Sequence, residues 1–168
     1  MTGPWWTLVV TLAIQSLASM AAITVPVMAP VLGQVLSVSP TLVGVYVALV
    51  YAAALVASLG AGALVERFGA IRVSQASLVA CAMGLAACTV PSVGTLALGA
   101  VLIGFGYGPV TPASSHVLAR TTPAHRMALV FSLKQTGVPV GGVLAGALVP
   151  MLLGLGWQAT LLCVAGAV

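Results

Sequence analysis

A chain of 168 residues that is 61% hydrophobic and 4% charged cannot keep its surface in water; a soluble domain carries about a quarter charged residues. The net charge of +4 rests on five lysines and arginines. Scattered among loops, they are too few to track a phosphate backbone, which excludes nucleic acid as a partner. Barrel strands alternate apolar and polar residues in segments of about ten, whereas the apolar runs here reach the length of about twenty that a helix needs to cross a bilayer. The expectation is an all-α membrane protein, a polytopic helical bundle whose first partner is the lipid bilayer. Cys81, Cys88 and Cys163 lie inside apolar runs; an odd number of such thiols suggests neither a disulfide framework nor a metal site, and no cofactor is expected.

In chain order, Trp5 and Trp6 fit an interfacial anchor, and a first span is expected over about 5–31. It is too long for a signal-peptide core and is read as retained. Gln15, Ser16, Ser19 and Thr24 interrupt it, and Pro26 and Pro30 are expected to kink or stop it. An outer loop over 32–40 precedes a second span at about 42–65, whose Gly44, Ala48, Tyr51, Ser58 and Gly62 recur on one helical face. Then comes a glycine-punctuated polar stretch, Gly62-Ala-Leu-Val-Glu-Arg-Phe-Gly-Ala-Ile-Arg72, with the only carboxylate of the chain, Glu66. The third span is expected at about 73–90 and the fourth at about 95–118, with an unusual second half from Gly104 to His116. The loop Arg120 to Arg126 leads to a fifth span at about 128–155, containing Lys134-Gln-Thr-Gly137-Val-Pro139-Val-Gly-Gly142. A sixth, at 157–168, is about a dozen residues where roughly twenty are needed, so an incomplete final helix and a chain that continues are expected.

All four arginines fall in the two loops that close the second and fourth spans. The positive-inside tendency puts these loops, and the amino terminus, in the cytoplasm. Similar proline pairs in Val25-Pro-Val-Met-Ala-Pro30 and Gly108-Pro-Val-Thr-Pro112 suggest two successive three-helix units of opposite direction, a pattern found in transporters.

The stretch Gly62-x-Leu64-x-Glu66-Arg67-x-Gly69-x-x-Arg72 resembles the loop between the second and third helices of the major facilitator superfamily (MFS), whose pattern is roughly G-x-L-a-D-R-x-G-R-[RK]. Glu66 replaces Asp, and Ala70 and Ile71 stand where basic residues usually sit. With the three-plus-three spans, the resemblance covers the chain and implies the amino-terminal six-helix half of a transporter. A carboxy-terminal half, a small-molecule substrate and a location in the inner (plasma) membrane of a bacterium are then expected. It also implies a cavity lined by the first and fourth helices, and a cytoplasmic gate built from Gly62, Glu66, Arg67, Gly69 and Arg72. The fourth-helix arginine of many proton-coupled members falls near Ala100, and Val138-Pro139-Val140-Gly141-Gly142 only approximates the antiporter pattern G-P-x-x-G-G. A drug–proton antiporter is therefore not expected.

Lys134 stands about eight residues beyond Arg126, roughly 12 Å along a helix. A lysine at the bilayer centre costs about 2.5–3.5 kcal/mol on insertion scales. Snorkelling to the headgroups is one explanation; a cavity-facing cation beside Gln135 is the other. The stripe Lys134, Gly137, Gly141 and Ala145 favours the second, since small residues mark packed faces. Tyr107, Thr111 and Ser115 share a face with Gly104 and Gly108; they either contact substrate or bond backbone groups freed by Pro109 and Pro112. Gln15 and Ser19 carry the same two readings. His116 is either an interfacial histidine or a proton relay. Gly104, Gly108, Pro109, Gly137, Pro139, Gly141 and Gly142 are expected to serve helix packing. The reading is a secondary transporter moving a small solute by alternating access, with an organic anion preferred because of Lys134. A self-assembling six-helix channel or homodimeric transporter is the first alternative. An intramembrane enzyme built on Ser114-Ser115-His116 is the weaker one, since adjacent helical residues diverge.

Overall fold

A computed structural model describes residues 4–168. Every element named below is helical: α1 (Pro4–Val27), α2 (Ala29–Leu36), α3 (Val43–Phe68), α4 (Ala70–Ala87), α5 (Val93–Thr121), α6 (Met127–Gln135), α7 (Gly137–Leu152) and α8 (Trp157–Ala167), with short 3-10 turns before α3 and α6 and before α8. Among the described residues five segments are long and apolar enough to cross a membrane, the fifth running from Ala124 to Leu155 through α6 and α7. A polytopic helical bundle is what the hydropathy dictates, since only fully self-bonded backbone survives in lipid.

Two spans are jointed, and proline places both joints. Proline lacks an N–H and is tolerated in the first turn of a helix, where that donor would be unpaired anyway. The chain therefore restarts a helix just ahead of Pro30 and again just ahead of Pro139: α2 begins at Ala29 and α7 at Gly137, with Met28 and Thr136 between the segments. Helix accordingly continues to Leu36, across much of the expected outer loop, because Pro30 redirects the helix without ending it. Pro109 and Pro112, by contrast, are accommodated inside an unbroken α5.

The stretch around Glu66 is less of a loop than its composition suggests. Helix α3 carries on through Glu66 and Arg67 to Phe68, and α4 starts at Ala70, so the turn is Gly69 alone, at φ 84° and ψ 147°. That region of backbone space is essentially restricted to glycine. Gly156, ahead of α8, adopts nearly the same angles, φ 100° and ψ 149°. The second and third spans of one triplet, and the fifth and sixth of the other, are thus joined by the same device.

The packing repeats as well. The most extensive interfaces are α3 with α5, α4 with α5, and α1 with α7. In a three-plus-three scheme, α1 and α5 are equivalent opening helices, and each packs on the middle helix of the opposite triplet. Both seams are lined by glycine. A Cβ on Gly104 would meet the Val50 carbonyl and Ala53 Cβ (2.6 Å), and one on Gly108 the carbonyl of Ala54. In the other seam a Cβ on Gly137 would lie 2.9 Å from Gln15 Cβ, and one on Gly141 would strike the Ser16 carbonyl and lie 2.6 Å from Ser19 Cβ. Small residues permit this approach, which supplies the dispersion contacts that hold helices together in lipid.

The expected small-residue face of the second span points elsewhere. Gly44, Ala48, Tyr51 and Gly62 are exposed, and α3 packs through Tyr46, Val50, Ala53, Ala54, Ala61 and Val65. A Cβ on Gly62 would meet nothing within 4 Å, and Gly142 makes only an ordinary contact with Ile23. Neither glycine is needed for packing within this bundle.

Candidate functional site

Polar side chains inside the bundle gather where α1 faces α5, α6 and α7. Gln15 on α1 is fully buried. Its Oε1 accepts a hydrogen bond from Thr111 Oγ1 on α5 (3.2 Å), while its Nε2 has no partner. One turn on, Ser19 Oγ donates to the Val138 carbonyl on α7 (3.0 Å), just beyond the joint at Thr136. Thr111 thus spends its hydroxyl on neither of its nearer backbone carbonyls, whereas Ser114 bonds the carbonyls of Val110 (2.7 Å) and Thr111 (3.0 Å). The hydroxyls of Thr11, Ser16 and Thr24 are absorbed locally by the carbonyls of Thr7, Leu12 and Met20.

Lys134 is only 1% exposed, the largest fully buried side chain of the described residues. It sits one turn beyond Val130, which packs with Leu8 of α1 and Leu118 of α5, and one turn before Gly137, which abuts Gln15. Its place is therefore in the wedge between α1 and α5. Among the described residues its Nζ donates one hydrogen bond, to Gln135 Oε1 at 3.1 Å. An ammonium has three donors. The chain's single carboxylate, Glu66, lines a different cavity. Together with the free Nε2 of Gln15, this leaves a set of buried donors with few acceptors.

Tyr107 lies half-buried on α5, and its ring meets Tyr51 of α3 edge-on, with centroids 6.1 Å apart at 88°. Tyr51 and Thr111 are exposed on the bundle surface and Ser115 is half-buried. Tyr107, Thr111 and Gln15 thus form one strip leading from the surface inward. His116 does not join it. It lines a separate cavity with Glu66, Gln75, Arg72 and Arg120 at the arginine end of the bundle. One residue of helix rotates a side chain by about 100°, enough to part His116 from Ser115. Of the residues expected at a gate, Glu66, Gly69 and Arg72 line that cavity, and Arg67 stacks over the Phe68 ring at 5.1 Å. Gln75 was not singled out by sequence; its only signal is being a polar residue early in an otherwise apolar span.

Loss of the Ser19 hydroxyl should be readable as stability. A hydrogen bond between membrane helices contributes about 0.6 kcal/mol on average, and up to about 1.7. The serine hydroxyl here ties two spans 119 residues apart in sequence. Ser19→Ala is expected to lower the thermal midpoint in detergent modestly. A midpoint equal to wild type would mean that Val138 finds another donor.

A bundle of apolar helices with glycine-lined seams and a buried polar core defines a polytopic membrane protein. The family model of the Major Facilitator Superfamily matches residues 3–168. The chain belongs to that superfamily, and this makes it a membrane transport protein. A search of the curated proteins returned no match.

Proposed function

We propose that the chain forms one bundle of a secondary transporter that works against a second six-helix bundle and moves a small organic anion by alternating access. The observation that carries the anion is Lys134: a cation withdrawn from solvent, with one neutral hydrogen-bond partner and no carboxylate of its own. A buried charge in this state is costly unless something neutralises it, and an anionic solute supplies the missing acceptor. Gln15 Nε2 offers a second donor from the facing helix, and Tyr107, Thr111 and Ser115 border the approach. Gln135 holds the ammonium between transport events.

The direct test is counterflow in proteoliposomes holding the whole transporter, with a panel of small organic anions and size-matched neutral and cationic analogues. Exchange confined to the anions is the expected result, and faster exchange of the cations would overturn the reading.

The orientation belongs to the same proposal: amino terminus and arginine-bearing ends in the cytoplasm, in the inner membrane of a bacterium. Arg120 and Ser92 are exposed at opposite ends of α5. In a variant with Cys163 replaced by serine, Arg120→Cys in intact cells should resist a membrane-impermeant maleimide, whereas Ser92→Cys should react. The reverse pattern would invert the topology.

A further inference from the structure

We infer that the arginine end of α3, α4 and α5 carries a site for one anionic phospholipid. Two adjoining spaces, one polar and one apolar, would take the two parts of such a molecule. The first is a polar cavity of about 870 Å³ whose wall includes Glu66, Arg72, Gln75, His116 and Arg120. The second is an apolar furrow of about 400 Å³ lined by Leu64, Val73, Ala76, Phe105 and Pro109. Phe68 and Arg72 line both, so the two are neighbours across one pair of side chains.

Charge selects the headgroup. Two arginines face one carboxylate in the cavity, and Glu66 is the only acid in the chain; the wall therefore keeps a net positive charge. Guanidinium groups bind phosphate through paired N–H donors, and basic pockets between helices at a membrane surface recognise anionic lipid headgroups. Arg72 and Arg120 are exposed and free to do so.

Depth selects a lipid over a free phosphate. From Arg120 to Pro109 the α5 axis runs about 16 Å at 1.5 Å per residue, the depth of one leaflet in a hydrocarbon core about 30 Å thick. A chain lying in the furrow would cover the exposed side chains of Leu64, Phe68 and Phe105. A soluble phosphate uses none of this apolar surface.

The test is native mass spectrometry of the detergent-purified protein, titrated with phosphatidylglycerol, phosphatidylcholine or inorganic phosphate, alongside thermal melting. Phosphatidylglycerol should be retained at one molecule per chain and raise the melting midpoint in proportion to the logarithm of its concentration. Each arginine near an anionic headgroup contributes about fivefold in affinity, so the double variant Arg72→Gln/Arg120→Gln should bind about thirtyfold more weakly. Arg72→Lys/Arg120→Lys should retain most of the binding, and Arg126→Gln, outside the cavity, all of it. Both arginines are exposed, so the lipid-free midpoint serves as the check that the double variant is folded. Equal retention of phosphatidylcholine would overturn the headgroup assignment, and equal protection by inorganic phosphate would reduce the site to an anion pocket. Undiminished binding by the glutamine variant would remove the site altogether.

Discussion

Lys134→Ala is expected to cost at least thirtyfold in substrate affinity while leaving the protein inserted and folded. Removing one partner of a buried, charge-assisted contact costs about 2–5 kcal/mol, and each 1.4 kcal/mol is tenfold. Because the side chain is 1% exposed, alanine also opens a cavity, so Lys134→Met is the cleaner companion: it fills the wedge and lacks the charge. Replacing an unneutralised buried charge by an apolar group of similar size is often stabilising, so the methionine variant should melt higher than wild type even as it loses substrate. Lys134→Arg keeps the charge with a broader, planar head that the wedge between α1 and α5 was not shaped for; reduced transport with some remaining binding is expected. Affinity measured in reconstituted vesicles, normalised to inserted protein, decides. An unchanged value for the methionine variant would remove Lys134 from the site and the anion preference with it.

The second large effect is expected at the glycine seams. In Gly108→Ala the new Cβ meets the Ala54 carbonyl, with Ala54 C and Cα at 3.0 and 3.1 Å; in Gly141→Ala it meets the Ser16 carbonyl, Ser19 Cβ and Met20 N. These are mostly backbone atoms, which cannot rotate aside, so the helices must separate. Overpacking typically costs about 1–3 kcal/mol, and the upper part of that range is expected because each seam also loses its dispersion contacts. Leucine at either position should abolish the fold. Gly62→Ala and Gly146→Ala, where a Cβ meets nothing within 4 Å, should be neutral or better, since alanine is the stronger helix former by roughly 1 kcal/mol. Thermal midpoints in one detergent give the comparison. If Gly141→Ala matched Gly146→Ala, the α1–α7 seam would be looser than described.

What sequence made legible here follows the range of the forces involved. Hydropathy fixes where a chain sits in a bilayer, so five membrane-spanning helices could be read directly, while the superfamily resemblance rested on the spacing of Gly62, Glu66, Arg67, Gly69 and Arg72. The burial of Lys134 was readable too, because Gly137, Gly141 and Ala145 share its stripe and all are buried. What depends on a second helix was not. Gly62 and Gly108 look alike in sequence, yet only Gly108 meets a facing backbone. His116 stands in sequence between an interfacial and a proton-relay reading, and nothing there placed it in the arginine-end cavity it lines. The Glu66 stretch looked like a loop because its residues are polar. Polarity does not break a helix, and Gly69 makes the turn unaided.

The crossed pairing of the seams has a mechanical meaning. α1 belongs to the first triplet but is clasped by α7 of the second, and α5 of the second is clasped by α3 of the first. Two interlaced triplets cannot slide past each other or part along a plane without opening both glycine contacts at once. The described helices are therefore held as one interlocked body, jointed beside Pro30 and Pro139 but not free to divide.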